Sequence, residues 1–138
     1  MSNRKVNIIL SIFTLFLGGA IYILYRENSY ISNFVEILID LNPIRNTFKP
    51  LECVFIKYYL IDYLWALSLI SGLNTLFITK KETLRICLFV FFLGSIWETL
   101  QFINIISGTG DIIDVFMYLA AVITTVIIKI LTNKGEQK

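Results

Sequence analysis

The chain has 138 residues, of which 57% are hydrophobic and only 16% charged, with a mean hydropathy of +0.75. A soluble domain covers its surface with about a quarter charged residues, so this composition excludes an ordinary soluble enzyme and fits a small polytopic membrane protein, one membrane domain over 1–138. A formal net charge of +2 with no basic cluster beyond Lys80–Lys81 excludes nucleic acid as a partner, and the absence of histidine excludes His-based catalysis and ordinary zinc sites.

Four apolar runs are long enough to cross a bilayer, each near the ~20 residues that span about 30 Å of hydrocarbon. The first, over 6–25, carries no charge between Arg4–Lys5 and Arg26–Glu27. A cleaved signal ending at Gly18-Gly19-Ala20 is disfavoured, because the apolar run continues to Tyr25. Within the long connection that follows, residues 30–41 place Ser32, Glu36 and Asp40 at i, i+4 and i+8 among apolar neighbours. That pattern predicts an amphipathic helix in the outer interface, ended by Asn42-Pro43. The second span is expected over 60–78, the third over 84–106 and the fourth over 112–131, the last two joined by a five-residue turn, Ser107–Asp111. The fold class is therefore an all-α membrane protein with four transmembrane helices and one interfacial helix.

Eight of the twelve Lys and Arg residues lie at the N-terminus, in the 79–85 loop or at the C-terminal end. The positive-inside rule puts both termini in the cytoplasm of a multi-pass protein of the bacterial cytoplasmic (inner) membrane. All seven tyrosines and both tryptophans then fall in the outward half, at interface depth. Cys53 and Cys87 fall on opposite sides and are not expected to pair.

Polar groups in the outer halves of the spans define a candidate site. Asp62/Trp65, Glu98/Gln101 and Asp111/Asp114 are each i, i+3 pairs on one helix face. A carboxylate at the centre of a span costs about 2.5–3.5 kcal/mol on insertion scales. Glu98, eight residues below the expected end of its span, lies about 12 Å deep, away from any cap. Asp62, Asp111 and Asp114, taken singly, read as helix-end residues. Glu98 with Gln101 reads as function. The spans joined by the short turn are antiparallel neighbours, so these groups converge in a funnel open to the outside, with Glu98 at its floor and Lys57 the nearest counter-ion. Glu98 and Asp114 would be the ligands of any metal; no cofactor is implied.

Trp97-Glu98-Thr99-Leu100-Gln101 followed by Gly108-Thr109-Gly110-Asp111-Ile112-Ile113-Asp114-Val115 resembles the VanZ-like family of small bacterial membrane proteins. That family has E-x-x-Q in a late span, a glycine-containing turn, and D-x-x-D opening the last span; Asp62-Tyr63-Leu64-Trp65 resembles its D-x-x-W segment. Thr109 and Tyr118 depart from the Arg and Asn often found there, which marks a divergent branch. Members of that family are associated with resistance to glycopeptide antibiotics; for this chain the resemblance implies an extracytoplasmic-facing membrane protein, and it does not license an antibiotic phenotype.

The preferred function is binding of an amphipathic or cationic envelope ligand, such as a lipid headgroup or a lipoglycopeptide-type antibiotic, with membrane lipids as partners. Ligand-binding candidates are Asp62, Trp65, Glu98, Gln101, Asp111, Asp114 and Tyr118. The alternative is a proton- or cation-coupled transporter using Glu98, although the inner halves of the spans offer only Ser, Thr and Asn toward the cytoplasm. An acid/base enzyme using Glu98 and Asp114 ranks third, since Ser68, Ser71 and Ser107 have no recognisable activating base. A purely structural partner of larger complexes ranks fourth.

Overall fold

A computed structural model describes residues 3–27, 29–76 and 80–135, and among them every regular element is helical. In chain order these are α1 (Asn3–Tyr25), α2 (Tyr30–Leu38), α3 (Asn42–Phe48), α4 (Leu60–Leu73), α5 (Lys80–Phe102) and α6 (Ile112–Gly135). A 3₁₀ turn over Lys49–Leu51 and a π turn over Phe55–Tyr59 lead into α4. Three helices are long and apolar enough to cross a membrane, over Arg4–Tyr25, Glu82–Phe102 and Ile112–Thr132, which marks a membrane-spanning protein.

The second predicted span differs from expectation. Its helix α4 has 14 residues, about 21 Å of rise, because Asn74 turns the chain after Leu73 and its side chain bonds back to Ile70 O at 2.9 Å. Residues 77 and 78 of that expected span lie outside the described residues. What α4 lacks in length it makes up in position. Ile61, Leu64, Ala66, Leu67, Ser68, Ile70 and Ser71 are buried, and α4 packs against α1, α5 and α6 at once. An apolar helix without a polar face belongs in the middle of a bundle.

Small residues bring α1 close to α4. Ser11 Oγ donates to Ser68 O at 3.0 Å, and Ser68 Oγ donates to Ser11 O at 2.9 Å. A Cβ on Gly72 would sit 3.1 Å from Ser11 Oγ, and one on Gly18 would meet the Trp65 ring at 2.8 Å; Gly19 faces open space. Such contacts replace hydrophobic burial as the glue between membrane helices. Phe13 and Phe16 on α1, Phe89 and Phe92 on α5, and Phe116 and Ile123 on α6 are exposed. So much exposed apolar surface would need another explanation in water; in lipid it is ordinary. Lys129 of α6 reaches across to the Thr83 hydroxyl on α5.

The segment between α1 and α4 is held onto the C-terminal end of α1. Ser29 caps α2, accepting from Ser32 N at 3.1 Å, and the buried Ser32 hydroxyl lies within reach of Ile23 O (3.1 Å) and Arg26 O (2.8 Å). Arg45 donates from Nε to Leu24 O (3.2 Å) and from Nη2 to Ile23 O (3.1 Å), and it pairs with Glu36. A cation on the last carbonyls of a helix complements its dipole. Ser32 of α2 thus faces the protein and the exposed Glu36 reaches Arg45, while Tyr30, Phe34, Ile37 and Leu38 are exposed. The helix expected over 30–41 stops at Leu38, where Ile39 turns extended; Asn42-Pro43 opens α3 instead of ending α2.

The third expected span also ends early, at Phe102 rather than 106. Asn104 takes a left-handed conformation (φ 59°), and Ile105 N and Asn104 N bond back to Leu100 O and Gln101 O at 2.9 Å each. This is a Schellman cap with asparagine in the left-handed position. The connection to α6 is therefore 103–111, longer than the five residues expected, and Glu98 lies four residues from the end of α5, about 6 Å rather than 12 Å.

Candidate functional site

Four helix ends meet at one end of the bundle: the C-terminal ends of α1 and α5 and the N-terminal ends of α4 and α6. Glu98, buried to 6% exposure, is the best-fastened group there. Its Oε1 accepts the Tyr118 hydroxyl at 3.0 Å and its Oε2 accepts the Asp111 backbone N–H at 3.2 Å. Tyr118 reaches it because α5 has a glycine one turn before Glu98. A Cβ at Gly94 would lie 2.5 Å from the Tyr118 ring, so only glycine leaves the slot open.

Asp111 caps α6 through Oδ1, which accepts Ile113 N at 2.9 Å, while its Oδ2 accepts the Tyr59 hydroxyl at 3.1 Å. The turn lies flat on α5. A Cβ at Gly110 would fall 2.6 Å from Glu98 O, and one at Gly108 (φ +149°) would fall 2.6 Å from the Gln101 amide. Gln101 therefore covers the turn through Gly108.

Asp62 and Asp114 are partly buried, and the carboxylates of Asp62, Glu98 and Asp114 lie within electrostatic reach of one another. Asp114 Oδ1 is buried without a hydrogen-bond partner. The cation facing Asp62 and Asp114 is Arg26, whose guanidinium lies 5.5 Å from the ring centres of both Tyr22 and Tyr58. Lys57, expected as the counter-ion, is bound to Glu52 at 2.6 Å, a pairing that holds its amine above the usual range. Searches against protein-family models, curated proteins and solved structures return no match. Among the described residues, no group of three or more Cys, Asp or Glu side chains is arranged to hold a metal ion.

Of the residues read from sequence, Asp62, Glu98, Asp111, Asp114 and Tyr118 come together. Trp65 turns toward α1, its ring 5.5 Å from Tyr22 and over Gly18, and Trp97 is half exposed on α5. Arg26, Tyr22, Tyr58, Tyr59 and Gly94 are additions from the structure. Three had a spacing signal: Tyr22 and Arg26 are an i, i+4 pair, and Gly94 stands i, i+4 to Glu98. A cavity of about 80 Å³ lies elsewhere, lined by Glu27, Asn42, Arg45, Asn46, Lys49 and Glu52 among others, and includes none of the acid cluster.

The arrangement divides the labour. Glu98 and Asp111, with their bonds filled, hold α5, the turn and α6 together. Asp62 and Asp114 face one cation without direct contact, and Asp114 Oδ1 is left with an open acceptor position.

Proposed function

We propose that this chain is a four-span protein of the bacterial cytoplasmic membrane, both termini inside, that binds the cationic head of an amphipathic envelope molecule in its outer leaflet. In this reading α4, with the π turn ahead of it at headgroup level, is the fourth crossing, and α2 lies in the outer interface on its apolar face. The distribution of Lys and Arg supports the orientation. A place in a divergent VanZ-like branch is part of the proposal, supported by the E-x-x-Q and D-x-x-D segments meeting across one turn.

The observation that carries it is the buried Asp114 Oδ1 left without a hydrogen-bond partner, with Asp62 within electrostatic reach, at the mouth of a bundle whose outside is apolar. A guest with a cationic head and an alkyl tail meets both environments in one pose. Coupled transport is the weaker reading. The buried hydroxyls of Thr14 and Thr125 bond to carbonyls one turn back and those of Ser11 and Ser68 tie α1 to α4, so these groups serve packing.

The test is a titration of the full chain in dodecyl maltoside with dodecyltrimethylammonium, read by Trp65 fluorescence in a Trp97→Phe background. Saturable binding is expected, weakened at least tenfold, about 1.4 kcal/mol, by Asp62→Asn with Asp114→Asn. Absence of saturation, or binding indifferent to that pair, would refute the proposal.

A further inference from the structure

The protein has two arginines in its outer segment, and they are held in opposite ways. Arg45 is fastened through three nitrogens, to Leu24 O, Ile23 O and Glu36. Arg26 makes no side-chain hydrogen bond or ion pair to any described residue, and its buried Nε has no partner. What surrounds its guanidinium is non-directional: the rings of Tyr22 and Tyr58 at 5.5 Å each, and the charges of Asp62 and Asp114 beyond direct contact. Tyr22 is in turn backed by Trp65 at 5.5 Å.

Aromatic faces with nearby carboxylates attract a cation by field rather than by geometry, so one cation exchanges for another at little cost in fit. Arg26 also sits just beyond Tyr25, the last residue of α1, outside any helix. Displacing its side chain would not require unwinding an element.

We infer that Arg26 is a tethered occupant of the site: its guanidinium fills the Tyr22/Tyr58 cradle facing Asp62 and Asp114 that a ligand's organic cation takes, and ligand binding displaces it. This rests on the reading that the site binds cationic amphiphiles. The ligand class follows from the cradle: a quaternary ammonium, guanidinium or other soft, weakly hydrated cation on an alkyl tail.

The experiment compares wild type with Arg26→Gln, full chain in dodecyl maltoside, titrated with dodecyltrimethylammonium, dodecylguanidinium and dodecyl phosphate. Removing the tethered cation should tighten both cationic probes at least tenfold, and adding Asp62→Asn to Arg26→Gln should reverse that gain. Equal or weaker binding by Arg26→Gln, with wild type still binding, overturns the displacement and leaves the cation site standing. No binding of either cationic probe to either protein removes both readings. Binding of dodecyl phosphate to wild type, lost in Arg26→Gln, overturns it by making Arg26 itself the ligand for an anion. A second readout needs no variant: the Arg26 Nε–H resonance of wild type should pass from exchange-protected to solvent-exchanging at saturation with dodecyltrimethylammonium. A resonance that stays protected overturns the inference even if Arg26→Gln does not fold.

Discussion

Glu98 offers the sharpest separation between charge and shape. Its carboxylate accepts from Tyr118 and from the Asp111 N–H while buried. Hydrogen bonds to a charged acceptor contribute about 1.5–3 kcal/mol each. Glu98→Ala loses both and leaves two donors unpaired, so it should cost about 3–6 kcal/mol. Glu98→Gln keeps both contacts: its carbonyl accepts from Asp111, and its amide donates to the Tyr118 oxygen once that hydroxyl rotates. The weaker neutral bonds are offset by removing a like charge beside Asp62 and Asp114. Glu98→Gln should therefore stay within about 1 kcal/mol of wild type. Equilibrium unfolding in mixed dodecyl maltoside and dodecyl sulfate measures both, with amide exchange at Asp111 as a local reporter. If Glu98→Gln were as unstable as Glu98→Ala, or Glu98→Ala as stable as wild type, the role of Glu98 as a clamp would be refuted.

Gly94→Ala should destabilise by about 1–3 kcal/mol, since its methyl meets the Tyr118 ring; an unchanged melting temperature would contradict the slot. Arg45→Met should free α2 and α3 from the end of α1, seen as faster proteolysis within 29–50 with amide protection in α5 and α6 unchanged, and equal proteolysis would count against that strap. Ser68→Ala should cost only about 0.6 kcal/mol, the mean for a hydrogen bond between membrane helices. Ser68→Leu should cost several times more by pushing α1 off α4, and near-equal effects would show that the two helices are not in close contact there.

Much of this was legible in the sequence, because long uncharged runs allow few structures other than membrane helices. The runs at 6–25 and 112–131 match α1 and α6 closely for that reason. The ends of α4 and α5 were not legible. Asn74 and Asn104 stop those helices inside apolar sequence, one by bonding back to its own helix and the other by taking a left-handed conformation. The acidic i, i+3 pairs identified three of the helices that meet at the site. Their counter-ion did not follow, since Arg26 is remote in sequence from every acid it faces and reads as a loop charge. Likewise the stripe of Ser32 and Glu36 shows the helical period of α2, but its orientation depends on remote partners: Ser32 on Ile23 O and Arg26 O, and Glu36 on Arg45, nine residues further on.

The claim that a cationic amphiphile docks among Asp62, Asp114 and the tyrosines is tested most directly by photo-crosslinking in native membranes. The probe is an alkyltrimethylammonium with a diazirine in its first methylenes, and adducts are mapped by peptide mass. Adducts should concentrate at residues 22–26, 58–65 and 111–118, and fall away in Asp62→Asn with Asp114→Asn. Adducts spread along the exposed faces of α1 and α5 at Phe13, Phe16, Phe89 and Phe92, unchanged by that pair, would contradict it.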